Sequence, residues 1–298
     1  MTLRPASYGA GVIDLHTHST VSDGSELPAE VMRLAAEAGC RAVALTDHDS
    51  MAGLPDAGRA AAEAGIELVP GCELSCRGPV PDESDVEPSA HVLVYFADPG
   101  SGPLVDELAA LRQDRVTRNH RLVERLNELG IPIRYEQVLA EAGREEGVGR
   151  PHVAAVLVSM GAAESVTDAF DRWLGTGRPA HIPKARLAPA DAAELARRSG
   201  GVAVLAHPLS LGLSPAALER FVGELAGTGF AGIEALYGRY RPDERRALAA
   251  LATRFDLVAT GGSDFHGTYK PDVSVGTGLG DLAVPDDRLD QLAARRPG

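Results

Sequence analysis

Histidine and carboxylate recur along this 298-residue chain in short runs flanked by apolar residues. Asp14-Leu15-His16-Thr17-His18 is followed by Ser22-Asp23-Gly24 and then by Thr46-Asp47-His48-Asp49. Gly71-Cys72-Glu73, an isolated His91, Ala206-His207-Pro208 and Gly262-Ser263-Asp264-Phe265-His266 complete the series. Six of the nine histidines stand in these runs, beside at least four carboxylates. A His-x-His pair on a strand points both imidazoles to one face, where they can grip one ion. Gathering six histidines in one interior is costly unless something coordinates or pairs them. Imidazole and carboxylate without thiolate suit Mn, Fe or Zn rather than a cysteine-type structural site. About nine ligands exceed what one ion takes, so two or three divalent ions are expected, manganese first. Such clusters polarise a phosphoryl oxygen and hold a bridging hydroxide as nucleophile. No G-x-S-x-G elbow, P-loop or paired Cys/His nucleophile motif competes with that chemistry.

The elements that must position these residues alternate. Apolar runs at 12–15, 42–45, 66–69 and 91–96 read as strands, and helices fall at 25–38 and 57–64, each stopped by glycine. One long helix at 103–130 and shorter ones at 137–142, 151–160 and 165–174 follow, with no strand between 98 and 181. Alternation resumes with helices at 190–199, 215–226 and 243–254 and strands at 202–206, 232–235 and 257–259. The expected fold is α/β, an irregular (β/α)7-type barrel built from 1–98 and 187–298. An all-helical subdomain, 99–186, interrupts it and is expected to line the substrate cleft. In a parallel barrel the C-terminal strand ends share one face, where active sites sit. The runs above end such strands; His91 opens one, and an antiparallel strand would bring it to the same face. An open doubly wound sheet is the weaker reading, because no G-x-G-x-x-G follows the first strand.

The net charge is −13, from 42 acids against 29 bases. Residues 99–186 hold 12 of each, so the excess of acid lies entirely in the flanks. An acidic surface repels long polyanions, which argues against duplex binding. Arginine outnumbers lysine 27 to 2; its fork suits phosphate, although a GC-rich codon bias accounts for the ratio at least as well. Three cysteines without a C-x-x-C pair argue against a disulfide framework. The first ten residues have no apolar signal core, and no stretch is long and apolar enough for a membrane. A reduced, cytoplasmic enzyme without membrane contact is expected; the oligomeric state is not legible.

The ordered set Asp-Leu-His-Thr-His-Ser, Thr-Asp-His-Asp, Gly-Cys-Glu, His91, Ala-His-Pro and Gly-Ser-Asp-Phe-His resembles the PHP (polymerase and histidinol phosphatase) superfamily, over both flanks of the chain. The resemblance implies that His16, His18, Glu73 and Asp264 hold one metal. Glu73 would bridge to a second, held with His91 and His207, while Asp23, His48 and His266 would hold a third. Many members carry histidine where this chain has Asp23. Asp47 would orient His48 or a neighbour from outside the ligand set. His207, His266 and Asp264 are the candidate catalytic residues, either histidine being the proton donor to the leaving oxygen. The helical insertion resembles that of stand-alone members that hydrolyse 3′,5′-nucleoside bisphosphates and trim the 5′ ends of short RNA. The implied partners are thus a small phosphorylated nucleotide or short single-stranded RNA. Candidate substrate-binding residues are Asn119 and His120 between Arg118 and Arg121, Arg150 and His152 at a helix start suited to phosphate, and Arg178 and Lys184 in a loop. Histidinol-phosphate phosphatase, a non-catalytic metal-binding module and a generic amidohydrolase are the alternatives.

Overall fold

The computed structural model describes residues 12–80, 88–143 and 148–297. The start of the chain and most of the 79–88 loop lie outside the described residues. What is described divides into two compact units, 12–106 with 186–297, and 107–185.

The first unit is a seven-stranded sheet whose spatial order follows the sequence. Its strands are β1 (Val12–Thr17), β2 (Cys40–Leu45), β3 (Glu67–Arg77), β4 (Ser89–Tyr95), β5 (Val202–Leu205), β6 (Gly232–Tyr237) and β7 (Val258–Gly262). β1, β2 and β3 pair in parallel, as do β5, β6 and β7. β4 runs antiparallel to both neighbours, so the sheet is mixed rather than uniformly parallel. The ring is drawn together between its first and last strands: Asp264 N donates to His16 O (2.8 Å) and His18 N to Phe265 O (2.9 Å). This is a nearly closed α/β barrel.

Local sequence explains the elements. Helices α1 (Pro28–Glu37) and α2 (Leu54–Ala64) each carry proline in the first turn, where its missing N–H costs nothing. The same device opens α7 (Pro189–Arg198), α8 (Pro215–Gly227) and α9 (Pro242–Arg254). α10 (Asp287–Ala293), absent from the sequence reading, follows β7. Ile13, Leu15, Ala42, Ala44, Leu93 and Val204 fill the barrel interior, which accounts for the near-continuous apolar runs of these strands. At Gly262 a Cβ would lie 2.4 Å from His16 Cβ, so only glycine lets β7 approach β1. Asp14, fully buried, accepts from Ser263 N (2.9 Å), His16 N (3.2 Å) and Gly276 N (2.7 Å), tying β1 to the chain beyond β7.

The second unit is entirely helical among its described residues. It comprises most of α3 (Pro103–Glu128), then α4 (Tyr135–Ala142), α5 (Arg150–Ser159), α6 (Val166–Ala169) and a π-helical turn, Phe170–Leu174. Leu122, Leu126, Ile133, Val138, Val153 and Leu157 form its own core. Asn119 belongs to this framework. It is buried, and its side-chain amide donates to Val148 O (3.0 Å).

Candidate metal centre

Glu73 is the hub. It was expected at the end of the third strand but lies within β3, which continues to Arg77. β2 pairs with β3 only as far as Pro70, so Glu73 emerges beyond the end of β2 and faces the barrel mouth while β4 supports it from the other edge. Its two oxygens address different histidines. Oε1 lies 2.8 Å from His91 Nδ1 and 3.0 Å from His207 Nε2. Oε2 lies 3.1 Å from His18 Nε2, 3.2 Å from His48 Nδ1 and 3.3 Å from His16 Nε2. The reversed direction of β4 brings His91 into this set.

Asp264 Oδ1 is 3.5 Å from His16 Nε2, 3.4 Å from His18 Nε2 and 3.4 Å from His266 Nδ1. Asp23 lies 3.3 Å from His266 Nε2, 3.5 Å from His18 Nδ1 and 3.6 Å from His48 Nε2. All nine expected ligand residues are therefore gathered at one mouth of the barrel. Three groups have ligand atoms close enough to share an ion: His18, Asp23, His48 and His266; His16, His18 and Asp264; and His48, Glu73 and His91.

Donor chemistry fits divalent cations. Nε2 of His16 and Nε2 of His18 face each other at 3.1 Å, so either one ring donates to the other or both turn lone pairs to a shared cation. His48 Nδ1 is buried and, with Glu73 Oε2 3.2 Å away, still makes no well-formed hydrogen bond among the described residues. A cation among these nitrogens resolves both. In its absence the protons are strongly perturbed. Burial disfavours charge on His18, but Asp264 and Glu73 outweigh it and hold the ring protonated up to about 9. Glu234, Glu73 and Asp264 likewise overcome burial at His16 and raise it well above the usual imidazole value. Burial wins at His48, pushing it down to about 4. Burial alone would raise Glu73 and Asp264, yet the neighbouring imidazoles hold both carboxyls well below their ordinary range.

The supporting shell is partly unforeseen. Glu234 on β6 is buried; its Oε1 lies 2.9 Å from His16 Nδ1 and its Oε2 accepts from His207 N at 2.8 Å. With the carboxylate accepting, His16 carries its proton on Nδ1 and turns Nε2 to the centre. His266 Nδ1 lies 2.9 Å from Asp264 O, a carbonyl that can only accept, so Nε2 is the available nitrogen. Tyr237 Oη donates to Asp264 Oδ2 at 2.6 Å, and Lys270 Nζ reaches the same oxygen at 2.5 Å. Asp47 acts on a neighbouring loop. It accepts from Ser19 N, Ser19 Oγ and Ser22 Oγ, each at 2.8 Å, and so fixes the loop that carries Asp23. His207 and Asp264 both adopt positive φ, 25° and 57°, conformations that persist only where surrounding contacts impose them. Replacing Glu234 with Gln should weaken metal affinity about tenfold to hundredfold; a titration matching the unaltered protein would show that His16 needs no such partner.

The remaining candidates lie on the helical unit. His152 Nδ1 accepts from Gly149 N (3.2 Å), closing the start of its own helix. Arg150 donates to Leu174 O and lies over the Phe170 ring. His120 stacks on Tyr135 with centroids 3.8 Å apart. Arg178 is exposed and Lys184 half-buried. The three thiols are buried, and burial pushes Cys40 up to about 12, which keeps it inert.

Residues 14–142 match the PHP domain model. Over 254 residues the chain is 32% identical to the 3′,5′-nucleoside bisphosphate phosphatase of Chromobacterium violaceum, covering 85% of this chain and 87% of that protein. The chain belongs to the PHP family. It is 34% identical over 262 residues to the 5′-3′ exoribonuclease Rnm of Escherichia coli K12, covering 86% of each. The crystal structure of a Bifidobacterium adolescentis protein with a proposed metal-dependent phosphoesterase activity superposes with a TM-score of 0.71 at 33% identity, over 97% of this chain and 98% of that one. As a PHP protein with this fold and this donor set, the chain is a metal-dependent phosphoester hydrolase that uses divalent ions. No helix among the described residues is long and apolar enough to cross a membrane.

Proposed function

We propose that this PHP protein hydrolyses phosphate from small phosphorylated nucleotides, nucleoside 3′,5′-bisphosphates foremost, and trims short 5′-phosphorylated RNA in the cytoplasm. The observation that carries the reading is the two-sided engagement of Glu73, one oxygen toward His91 and His207 and the other toward His16, His18 and His48. Its likeness to the bisphosphate phosphatase over 85% of the chain supports the substrate class.

His16, His18, Glu73 and Asp264 would hold one ion, Glu73 with His91 and His207 a second, and Asp23, His48 and His266 a third, manganese being the first choice by donor type. Bound divalent ions supply Lewis-acid polarisation of the phosphoryl group and activation of water. The chain's own residues do the rest. Glu234 orients His16, and Tyr237 and Lys270 fix Asp264. His207 is half-buried and stands at the rim of the centre, its Nδ1 2.8 Å from Ser210 Oγ. It or His266 is the candidate to pass a proton to the leaving oxygen. Arg150, Arg178 and Lys184 remain candidate substrate contacts by charge. A net charge of −13 disfavours duplexes.

The test is a panel assayed under one metal condition: bisphosphate, monophosphate, histidinol phosphate, a short 5′-phosphorylated RNA and a duplex. The bisphosphate should show the highest kcat/KM and the duplex the lowest. Preference for histidinol phosphate would replace this reading, and no turnover by metal-loaded protein would make the chain a binding module.

A further inference from the structure

Beside the centre, the barrel unit holds a cleft of about 530 Å³, a volume suited to one small ligand. His207 and Asp264 line it, so whatever occupies the cleft lies against the centre. Two cations line it as well, Arg239 and Lys270, together with the rings of Tyr237 and Tyr240. Lys270 is one of only two lysines in a chain of net charge −13. Lys270 is paired with Asp264 Oδ2 at 2.5 Å, which leaves the Arg239 guanidinium, next to a phosphoester centre, as the cation placed for an anion.

The wall is built firmly. Arg245 is buried and donates to Tyr237 O and to Gly238 O, each at 3.1 Å, which pins the backbone immediately before Arg239. Tyr240 Oη accepts from Leu209 N at 2.8 Å, and its ring lies 4.7 Å from that of Tyr237. The aromatic pair thus forms a fixed apolar side. Glu244 also lines the cleft, but its carboxylate accepts from Arg241 N and pairs with the Arg241 guanidinium at 3.4 Å. Among the described residues Arg239 itself is held by Asp272, at 2.6 Å, with side-chain exposures of 38% and 54%. Exposed pairs of this kind are weak, so a ligand phosphate can take the guanidinium over.

We infer that Arg239 forms a second anion subsite, which binds a phosphate of the substrate other than the one hydrolysed, while Lys270 stays on Asp264. The nucleoside between the two phosphates would lie along Tyr237 and Tyr240. The subsite makes this chain selective for small molecules carrying two phosphates. It rests on the reading of the centre as a nucleotide phosphoesterase, and it assigns the selectivity to a residue of the barrel unit, Arg239, that no ligand motif contains.

The experiment measures a ratio. In metal-loaded protein, kcat/KM for adenosine 3′,5′-bisphosphate is divided by kcat/KM for an aryl phosphate, which has no second phosphate. Arg239→Ala should lower that ratio about tenfold or more, as expected for a lost charged hydrogen bond. Arg239→Lys should recover part of it, and Asp272→Asn, which releases the arginine, should hold or raise it. In parallel, calorimetry on the full-length chain freed of metal compares adenosine 3′,5′-bisphosphate with adenosine monophosphate. Arg239→Ala should weaken the bisphosphate at least about fivefold more than the monophosphate. An unchanged ratio together with unchanged binding would overturn the subsite and leave the phosphoesterase reading standing. Failure of the unaltered, metal-loaded protein to hydrolyse either ester would overturn that reading instead, while calorimetry still decides the subsite.

Discussion

Glu73→Gln should abolish full metal loading and lower kcat/KM by at least about three orders of magnitude. The side chain is buried and keeps its shape in the variant, so packing is not what changes. Charge and donor pattern are. A carboxylate offers two acceptor oxygens, and in this protein they face five imidazole nitrogens at 2.8 to 3.3 Å. An amide offers one oxygen and turns an NH₂ group on the remaining rings. The variant also removes the negative charge that helps keep His16 and His18 protonated. Metal analysis of the purified variant, followed by assay at saturating manganese, measures both effects. Full metal content with full activity would mean that Glu73 does not bridge.

Metal affinity should climb steeply with pH. His16 and His18 hold protons in the metal-free fold, His18 up to about 9 against an ordinary value of 6.5. Only a deprotonated ring can coordinate, so an ion binding at His16 and His18 displaces both protons. Each displaced proton is worth about tenfold in apparent affinity per pH unit. Two displaced protons make that about a hundredfold per unit wherever both rings are protonated. Manganese titrations at pH 6.5 and 7.5, in buffers of different ionisation enthalpy, read the affinity and the proton count together. A flat profile would remove both histidines from the ligand set. Stability of the metal-free chain follows from the same groups. The raised His18 contributes fully below pH 6.5, and its share is lost as pH rises from there through 9. His48, lowered to about 4, contributes above 6.5 and loses its share as pH falls toward 4. These two terms place the optimum of the metal-free fold near pH 6.5.

The ligand residues were legible because their cost is visible in sequence. Polar, titratable types stand where strands of Val, Ile, Leu and Ala end, and nothing but a shared site justifies six histidines there. Strand direction was not legible. The run at 91–96 reads the same forward and reversed, and only pairing with β3 and β5 makes β4 antiparallel. The length of β3 was hidden for a related reason: Gly71 and Cys72 look like a strand end until β4 supplies partners through Arg77. Glu234 was within reach. A lone glutamate inside Gly-Ile-Glu-Ala-Leu-Tyr is a carboxylate in a buried strand, and a buried carboxylate needs a partner. Lys270 and Arg239 carry no such mark, because cations in polar loops are ordinary and their placement at the cleft is tertiary. The framework bond of Asn119 was hidden for the opposite reason. A polar residue between arginines on a helix reads as surface, yet its amide supports a neighbouring backbone carbonyl.

The seam between β1 and β7 joins Ser263 to Asp14 across 249 positions of sequence. Contacts of such span form late, because the intervening chain must be ordered before they are rewarded. His16 and His18 therefore meet Asp264 and His266 only when the ring shuts. Residues 12–95 already carry His16, His18, Asp23, His48, Glu73 and His91, so an unclosed chain holds much of the donor set and gains Asp264 and His266 on closure. An ion held by His16, His18 and Asp264 then straddles the seam, and by mass action it raises the free energy needed to reopen the barrel. Binding at His16, His18 and Asp264 would then report chain closure, because its last donor arrives with the contact that completes the ring.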